Sequence, residues 1–275
     1  MEATKKYELS NITIEFNGVT LHRIKALKDF SYVKEGDLGG WIEKEDNLSQ
    51  IGNAWVYSNA KVYGNAKVFG DAQVSGKAEI FGNAQVYDNA VAVGKPKIYD
   101  DAHIYGTAKV RGDAQVFDNA MVYGDAWVCG NAQVYGNARI YDKAEVYGNA
   151  EVYGDAQVYA NAQVYANAQV YGYARIYDNA EIYGKSMVYG DAQVYGRARI
   201  SGDASVRCGA DYIIFKNFWS SGRFFTWTRS NNMWSVGCFY GTGEELIRKA
   251  YKDSAKSGKK YEKIVRYVDS ILADK

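Results

Sequence analysis

From Gly52 to Arg207, apolar and polar positions recur every six residues without insertion, in 26 consecutive hexads. Gly-Asn-Ala-Trp-Val-Tyr opens the run and Gly-Asp-Ala-Ser-Val-Arg closes it. The third position is Ala in all hexads but two (Pro96, Ser186), and the fifth is Val or Ile in all but one (Ala92). Positions one and two are mostly Gly or Asp, then Asn or Asp. Alternation over positions three to six predicts a short strand with Ala and Val inward, and positions one and two predict a tight turn. A unit this short buries its Ala and Val only by stacking on copies of itself, so the pattern predicts a β-solenoid of parallel strands.

The outward sixth position sets the number of hexads per coil. It is aromatic in 20 of 26 hexads, and its lapses at Ser75, Val93, Arg111 and Cys129 lie 18 residues apart, with Ser201 on the same register. Three hexads per coil place these lapses on one face of a triangular prism. About 8.7 coils at roughly 4.8 Å each predict a prism about 42 Å long. Two faces then carry nearly unbroken ladders, Tyr63 to Tyr189 and Phe69 to Tyr195, and the third regains tyrosine only at Tyr147, Tyr165 and Tyr183. Stacking between rungs is the expected role of these rings. On the broken face Trp55, Val91, Val93, Trp127 and Cys129 form an apolar strip, which marks a contact surface; self-association into a trimer or dimer is the expected use.

A solenoid needs covered ends. Residues 1–51 read as an N-terminal cap, with a hairpin of Ile12 to Phe16 and Val19 to Ile24 around Asn17-Gly18. Residues 52–207 are the solenoid. Residues 208–275 read as a small α+β domain with strands over 211–218, 223–229 and 233–240 and turns at Ser220-Ser221-Gly222 and Ser230-Asn231-Asn232. A capping box at Thr242-Gly243-Glu244-Glu245 opens a helix that Gly258 is expected to end, and a second amphipathic helix follows over Tyr261 to Leu272. Alternation puts Phe225, Trp227 and Arg229 on one sheet face and Phe224, Thr226 and Thr228 on the other, so one set is expected to be core.

Net charge is +1, but residues 208–275 hold 12 Lys and Arg against 7 Asp and Glu, giving this domain +5 and the remainder −4. With its aromatics, Lys216, Arg223, Trp227 and Arg229 are candidates to hold a nucleotide by stacking and phosphate contact, against the alternative that these rings are simply core. Three cysteines and two histidines leave no disulfide scaffold and little for a metal site. No apolar run reaches the length of a membrane span, and Met1 to Ser10 lacks the apolar stretch of a signal peptide, so a cytoplasmic protein with no membrane partner is expected. The glycines are turn residues and form no dinucleotide or phosphate loop, so no cofactor is expected.

Val-Tyr-Gly-Asn-Ala-Gln resembles the hexapeptide repeat of left-handed parallel β-helices, common in acyltransferases. The segment Leu21 to Phe30, Gly36-Asp37-Leu38-Gly39-Gly40-Trp41-Ile42 and Asn47-Leu48-Ser49-Gln50 resembles the start of the bacterial transferase-labelled family typified by YdcK, and hexapeptide proteins carried by phages and prophages. Together the likeness covers residues 20–207. It implies a left-handed coil and trimeric assembly. It also implies two functions to be weighed. In an acyl-CoA-dependent acyltransferase a histidine would act as general base, and His103, at an outward fourth position, is the candidate, with His22 in the cap as the other histidine. No loop interrupts the hexads to wall off an acceptor pocket. The alternative is a non-enzymatic binding scaffold, in its specific form a phage or prophage accessory factor that captures a host protein or small nucleotide in the host cytoplasm, with a counter-defence role. A virion structural part is a third reading.

Overall fold

A computed structural model describes residues 5–219 and 222–273. The hexads wind into a parallel β-solenoid of about nine coils, each coil giving one strand to each of three sheets. Residue i pairs with residue i+18, as in Lys61↔Glu79, Lys67↔Gln85 and Trp55↔Gln73. The first face runs from Lys61–Val62 to Ser205–Val206, the second from Lys67–Val68 to Gln193–Val194, and the third from Trp55–Val56 to Arg199–Ile200. Within the hexads every third-position Ala and every fifth-position Val or Ile is buried. Ser186 keeps its buried hydroxyl satisfied by donating to the Tyr183 carbonyl at 2.8 Å.

Position one of the hexad takes positive φ at the corners, 67° at Gly64 and 56° at Asp88. Glycine adopts this region without strain, which explains its recurrence. Where aspartate replaces it, the carboxylate accepts a backbone N–H one coil onward, Asp118 from Gly136 at 3.0 Å and Asp178 from Gly196 at 3.0 Å. On the outside, ladder rings stack nearly parallel, with centroids 4.8 Å apart at Phe69–Tyr87 and 4.9 Å at Tyr147–Tyr165. Each stacked pair contributes about 0.5–1 kcal/mol.

In most hexads the second-, fourth- and sixth-position N–H groups donate toward the C-terminal end, as in Asn59 to Gly76 O, Lys61 to Ala78 O and Tyr63 to Ile80 O, so the C-terminal end presents mainly N–H groups and the N-terminal end mainly carbonyls. The two ends therefore need opposite chemistry. At the carbonyl end, strands β1 (Tyr7–Phe16) and β2 (Val19–Ala26) form the expected hairpin, and β3 (Leu38–Ile42) pairs antiparallel with β2 and parallel with Lys61–Val62. This cap supplies donors. The Lys6 ammonium donates to Gly52 O (3.3 Å) and Ala54 O (2.9 Å), and the Asn47 amide to Gly64 O (3.1 Å) and Ala66 O (2.9 Å). Trp41↔Lys61 and Leu48↔Val68 are 20 residues apart, so a first coil two residues longer than the rest lies within the segment read as cap.

At the N–H end the terminal domain supplies acceptors. Its antiparallel sheet has four strands, here numbered after those of the cap: β4 (Tyr212–Lys216), β5 (Phe224–Thr228), β6 (Met233–Val236) and β7 (Phe239–Gly241). The run expected over 233–240 is thus two strands, divided at Gly237, which has φ 59°. Thr226 Oγ1 accepts from Arg199 N–H (3.0 Å), Ser230 Oγ from Ser205 N–H (2.7 Å) and Asp211 Oδ2 from Arg207 N–H (2.8 Å). Both sheet faces are therefore covered, which corrects the expectation of a single core face. Thr226, Thr228 and Ser235 are buried on the side that bears the last coil, while Phe225, Trp227, Trp234 and Val236 pack with α1 (Gly243–Asp253) and α2 (Ala255–Ala273).

The capping box stands, with Glu245 N–H donating to Thr242 Oγ1 at 3.3 Å. Gly258 does not end a helix. The first helix stops at Asp253, and Gly258 lies in α2 where a Cβ would meet the Tyr251 ring at 2.3 Å, so glycine serves close helix packing. The turn expected at Ser220-Ser221 lies outside the described residues. Among the described residues no helix is long and apolar enough to cross a membrane.

The ladders make alkaline pH the weak side of this fold. Burial, with help from neighbouring tyrosines and carboxylates, raises the phenols of Tyr87, Tyr99, Tyr135 and Tyr153, and lifts Tyr141 and Tyr165 to about 12. A folded pKa above the unfolded value near 10 gives stability that is complete below pH 10 and lost as pH rises through the folded value. Lys6 runs the other way: burial lowers it to about 8, so stability rises between pH 8 and 10.5. One lysine is outnumbered by the ladder. Stability should therefore peak near pH 9 to 10 and fall as pH rises further, so that the melting temperature, read by circular dichroism, drops in step with the rise in tyrosinate absorbance. A melting temperature that does not fall across the phenol titration would contradict this.

Candidate functional site

His103 lies on the second face between Gln85 and Met121, half-buried, with the Tyr87 ring edge-on at 6.2 Å. Its imidazole makes no hydrogen bond among the described residues, so nothing fixes its tautomer or aims it at a reacting atom. His22 Nδ1 is 3.4 Å from Ser10 O, within the hairpin. Neither histidine is in a walled site. The groove along the corner between the second and third faces is lined by Asp71, Asp88, Asp125 and Asp142, but Asp88 and Asp142 are spent on the backbone N–H groups of Gly106 and Ala160. No three metal-ligating side chains are grouped among the described residues.

Of the strip on the third face, Trp55 must be removed. It is 1% exposed, packed edge-on by Tyr7 (6.0 Å) and Phe30 (5.3 Å) from the cap, so its outward position is covered by the chain itself. Val91 and Trp127 remain in the column of fourth positions and Val93 and Cys129 in the column of sixth positions, with the coil of Lys109 and Arg111 between them. Here the strands Gln73–Gly76, Val91–Gly94 and Lys109–Gly112 are four residues long, against two in the other coils. Position six in these coils is Ser75, Val93 and Arg111, which carry no ladder ring, and the strand runs on through it.

The four terminal-domain candidates do not converge. Trp227 is 1% exposed and its Nε1 donates to Asn232 Oδ1 at 2.8 Å, so it is core, which corrects its assignment as a ligand residue. Arg223 and Arg229 flank opposite ends of β5, roughly 20 Å apart for six residues of strand. Lys216 lies 5.9 Å from the Phe224 ring. Arg223 is the productive one, because it borders two clefts. The first, about 250 Å³, lies between the sheet and the helices, with Val236, Leu246 and Ala250 behind the rings of Phe239 and Tyr261, and with Lys249 and Asp253 at its edge. The second, about 420 Å³, lies between the sheet and the last coils, and contains Arg197, Arg199 and Phe224. Arg199 is committed to Glu181 Oε2 at 3.0 Å, and Arg197 lies 5.6 Å from the Phe224 ring. The Arg223 and Lys249 side chains make no hydrogen bond or ion pair among the described residues. Lys249 and Arg197 were not singled out in the sequence, and Tyr261 was read only as part of the second helix; Arg197 occupies a turn position of the hexad and reads as another corner residue.

Three stretches of the solenoid, residues 114–130, 132–148 and 192–207, match the family model described as YdcK Beta solenoid repeat. The chain is also similar to a protein of Escherichia coli (strain K12) described as "Uncharacterized acetyltransferase YdcK", 39% identical over 61 residues. That alignment covers 19% of this chain and 19% of the relative, so the chain matches less than a fifth of that protein's length.

Proposed function

We propose that this chain with YdcK-type β-solenoid repeats is a non-enzymatic binding and display protein, a stiff prism that carries a recognition domain on its N–H end. The observation that supports this most is the pair of clefts meeting at Arg223, where an uncommitted guanidinium stands beside two rings, Phe239 and Tyr261, and a second arginine, Arg197. That combination suits a small nucleotide, its base against the rings and its phosphate on the arginines. Capture of a host protein or such a nucleotide by a phage or prophage accessory factor is the specific form of this reading, supported by the resemblance of the repeat segment.

The relative's name favours a second reading, acyl transfer from an acyl-CoA with His103 as base. Calorimetry separates the two. Mononucleotides are expected to bind, and Arg223→Ala to weaken them about tenfold or more, the size of a lost charge-assisted contact. Acetyl-CoA is expected to give no heat, and His103→Ala no change in any acetylation rate. Acetyl-CoA binding with turnover lost in His103→Ala would overturn the binding reading, as would mononucleotides that do not bind. Co-purification with virions would mark a particle component instead.

A further inference from the structure

We propose that two copies of this chain pair antiparallel, third face against third face, about a two-fold axis running along the Trp127–Val128 strand. This rests on the third face alone and on neither the ligand nor the reaction considered above.

The first observation is the break in the ladder. Trp127 is 40% exposed in the middle of the face where tyrosine lapses, and two coils before it, beyond the coil of Lys109 and Arg111, Val91 and Val93 are half-buried in the same stretch. A large ring this open, with no ladder ring stacked on it, is a surface in want of a cover. The second observation selects the cover. Charges on this face are segregated by coil. In the coil before Trp127, Lys109 Nζ and Arg111 Cζ lie 4.8 and 5.1 Å from its ring centre. In the coil after it, at the same position of the strand as Lys109, stands Glu145, which makes no ion pair among the described residues.

A half-turn about an axis lying in the interface along the strand direction swaps the coil before for the coil after, and leaves each position of the strand opposite its own kind. Lys109 then faces Glu145 of the second copy, twice by symmetry, and Trp127 meets its own counterpart at the centre. Arg111 comes opposite Tyr147, a cation on a ring face. Face-to-face pairing in the parallel sense would instead set Lys109 and Arg111 against themselves and Glu145 against Glu145, which opposes association. The arrangement also differs from the parallel trimer implied by the resemblance to acyltransferases.

The axis puts the two Cys129 residues opposite each other, which gives a direct test in the full-length chain. With Cys208→Ser and Cys238→Ser removing the two exposed thiols, light scattering at tens of micromolar should read twice the 30.7 kDa chain mass, and copper-phenanthroline should join the copies through Cys129 in a bond that reductant reverses. Lys109→Glu should weaken the dimer about tenfold, and the exchange Lys109→Glu with Glu145→Lys should bring it back, with the circular dichroism spectrum unchanged throughout. A monomer across this range, a trimer, a dimer in which Cys129 stays free, or a charge exchange that fails to restore pairing would each overturn the proposal.

Discussion

Replacing Val152 with aspartate is expected to open the middle of the prism. Val152 is fully buried on the first face, between Val134 and Val170 of the coils on either side, in a column that offers no hydrogen-bond partner. An unpaired carboxylate there costs roughly 4 kcal/mol or more. In a stack where each coil touches only its neighbours, the loss is local before it is global. Hydrogen exchange should show protection collapsing around residues 134–170 while the two ends keep theirs. Gln157→Asp is the matched control. Gln157 points outward and pairs in register with Arg139 and Arg175, so the new carboxylate gains two cationic neighbours and stability should be unchanged or slightly higher. If Val152→Asp melted like the parent, the dry Ala and Val column would not be what holds the coils together.

The second large effect is expected at the carbonyl end. Trp55→Ala removes the ring that Tyr7 and Phe30 clasp, and truncating a buried aromatic of this size costs about 3–5 kcal/mol. The cap is small and is fastened to the coils through this contact, the Lys6 and Asn47 donors and the β3 ladder. Its release would bare a row of carbonyls that any N–H edge can satisfy. The expected result is loss of exchange protection in residues 5–42 with the distal coils untouched, followed by end-to-end association seen as concentration-dependent growth in light scattering. A variant whose cap stays protected would show that Trp55 is dispensable to it.

The solenoid was legible in the sequence because its interactions are periodic. A six-residue alternation states which side chains are inward, and the 18-residue spacing of Ser75, Val93, Arg111 and Cys129 states how many strands close a coil; the register of every rung within the hexads agrees. What lay outside the period was harder to read. Trp55 sits at an outward position of its hexad, and only contacts with Tyr7 and Phe30, far upstream and in no repeat, bury it. The first coil was hidden by two additional residues between Leu48 and Val56, which shift Ile42 and Leu48 out of the 18-residue register while leaving their six-residue spacing intact. In the terminal domain the alternation of threonines and aromatics predicts one core face, yet Thr226 is buried against the last coils because its hydroxyl accepts the Arg199 N–H, a requirement that alternation does not state. The excess of N–H groups at one end and of carbonyls at the other comes from the corner residues, whose second-position N–H groups mostly donate onward, and is written in no single residue. Of the site candidates, Arg223 was legible from charge and aromatic composition, whereas its neighbours Lys249 and Tyr261 come from helices whose docking angle the pattern does not specify.

The uninterrupted coil has a metric consequence. Adjacent rungs are about 4.9 Å apart, as the Tyr135–Tyr153 ring spacing records, and neither terminal module touches the middle of the stack. Adding or deleting 18 residues would therefore move the modules apart or together by one such increment without altering the local chemistry of either. The protein is built as a ruler graduated in coils, and its length is a quantity that duplication of a short gene segment can adjust in single steps.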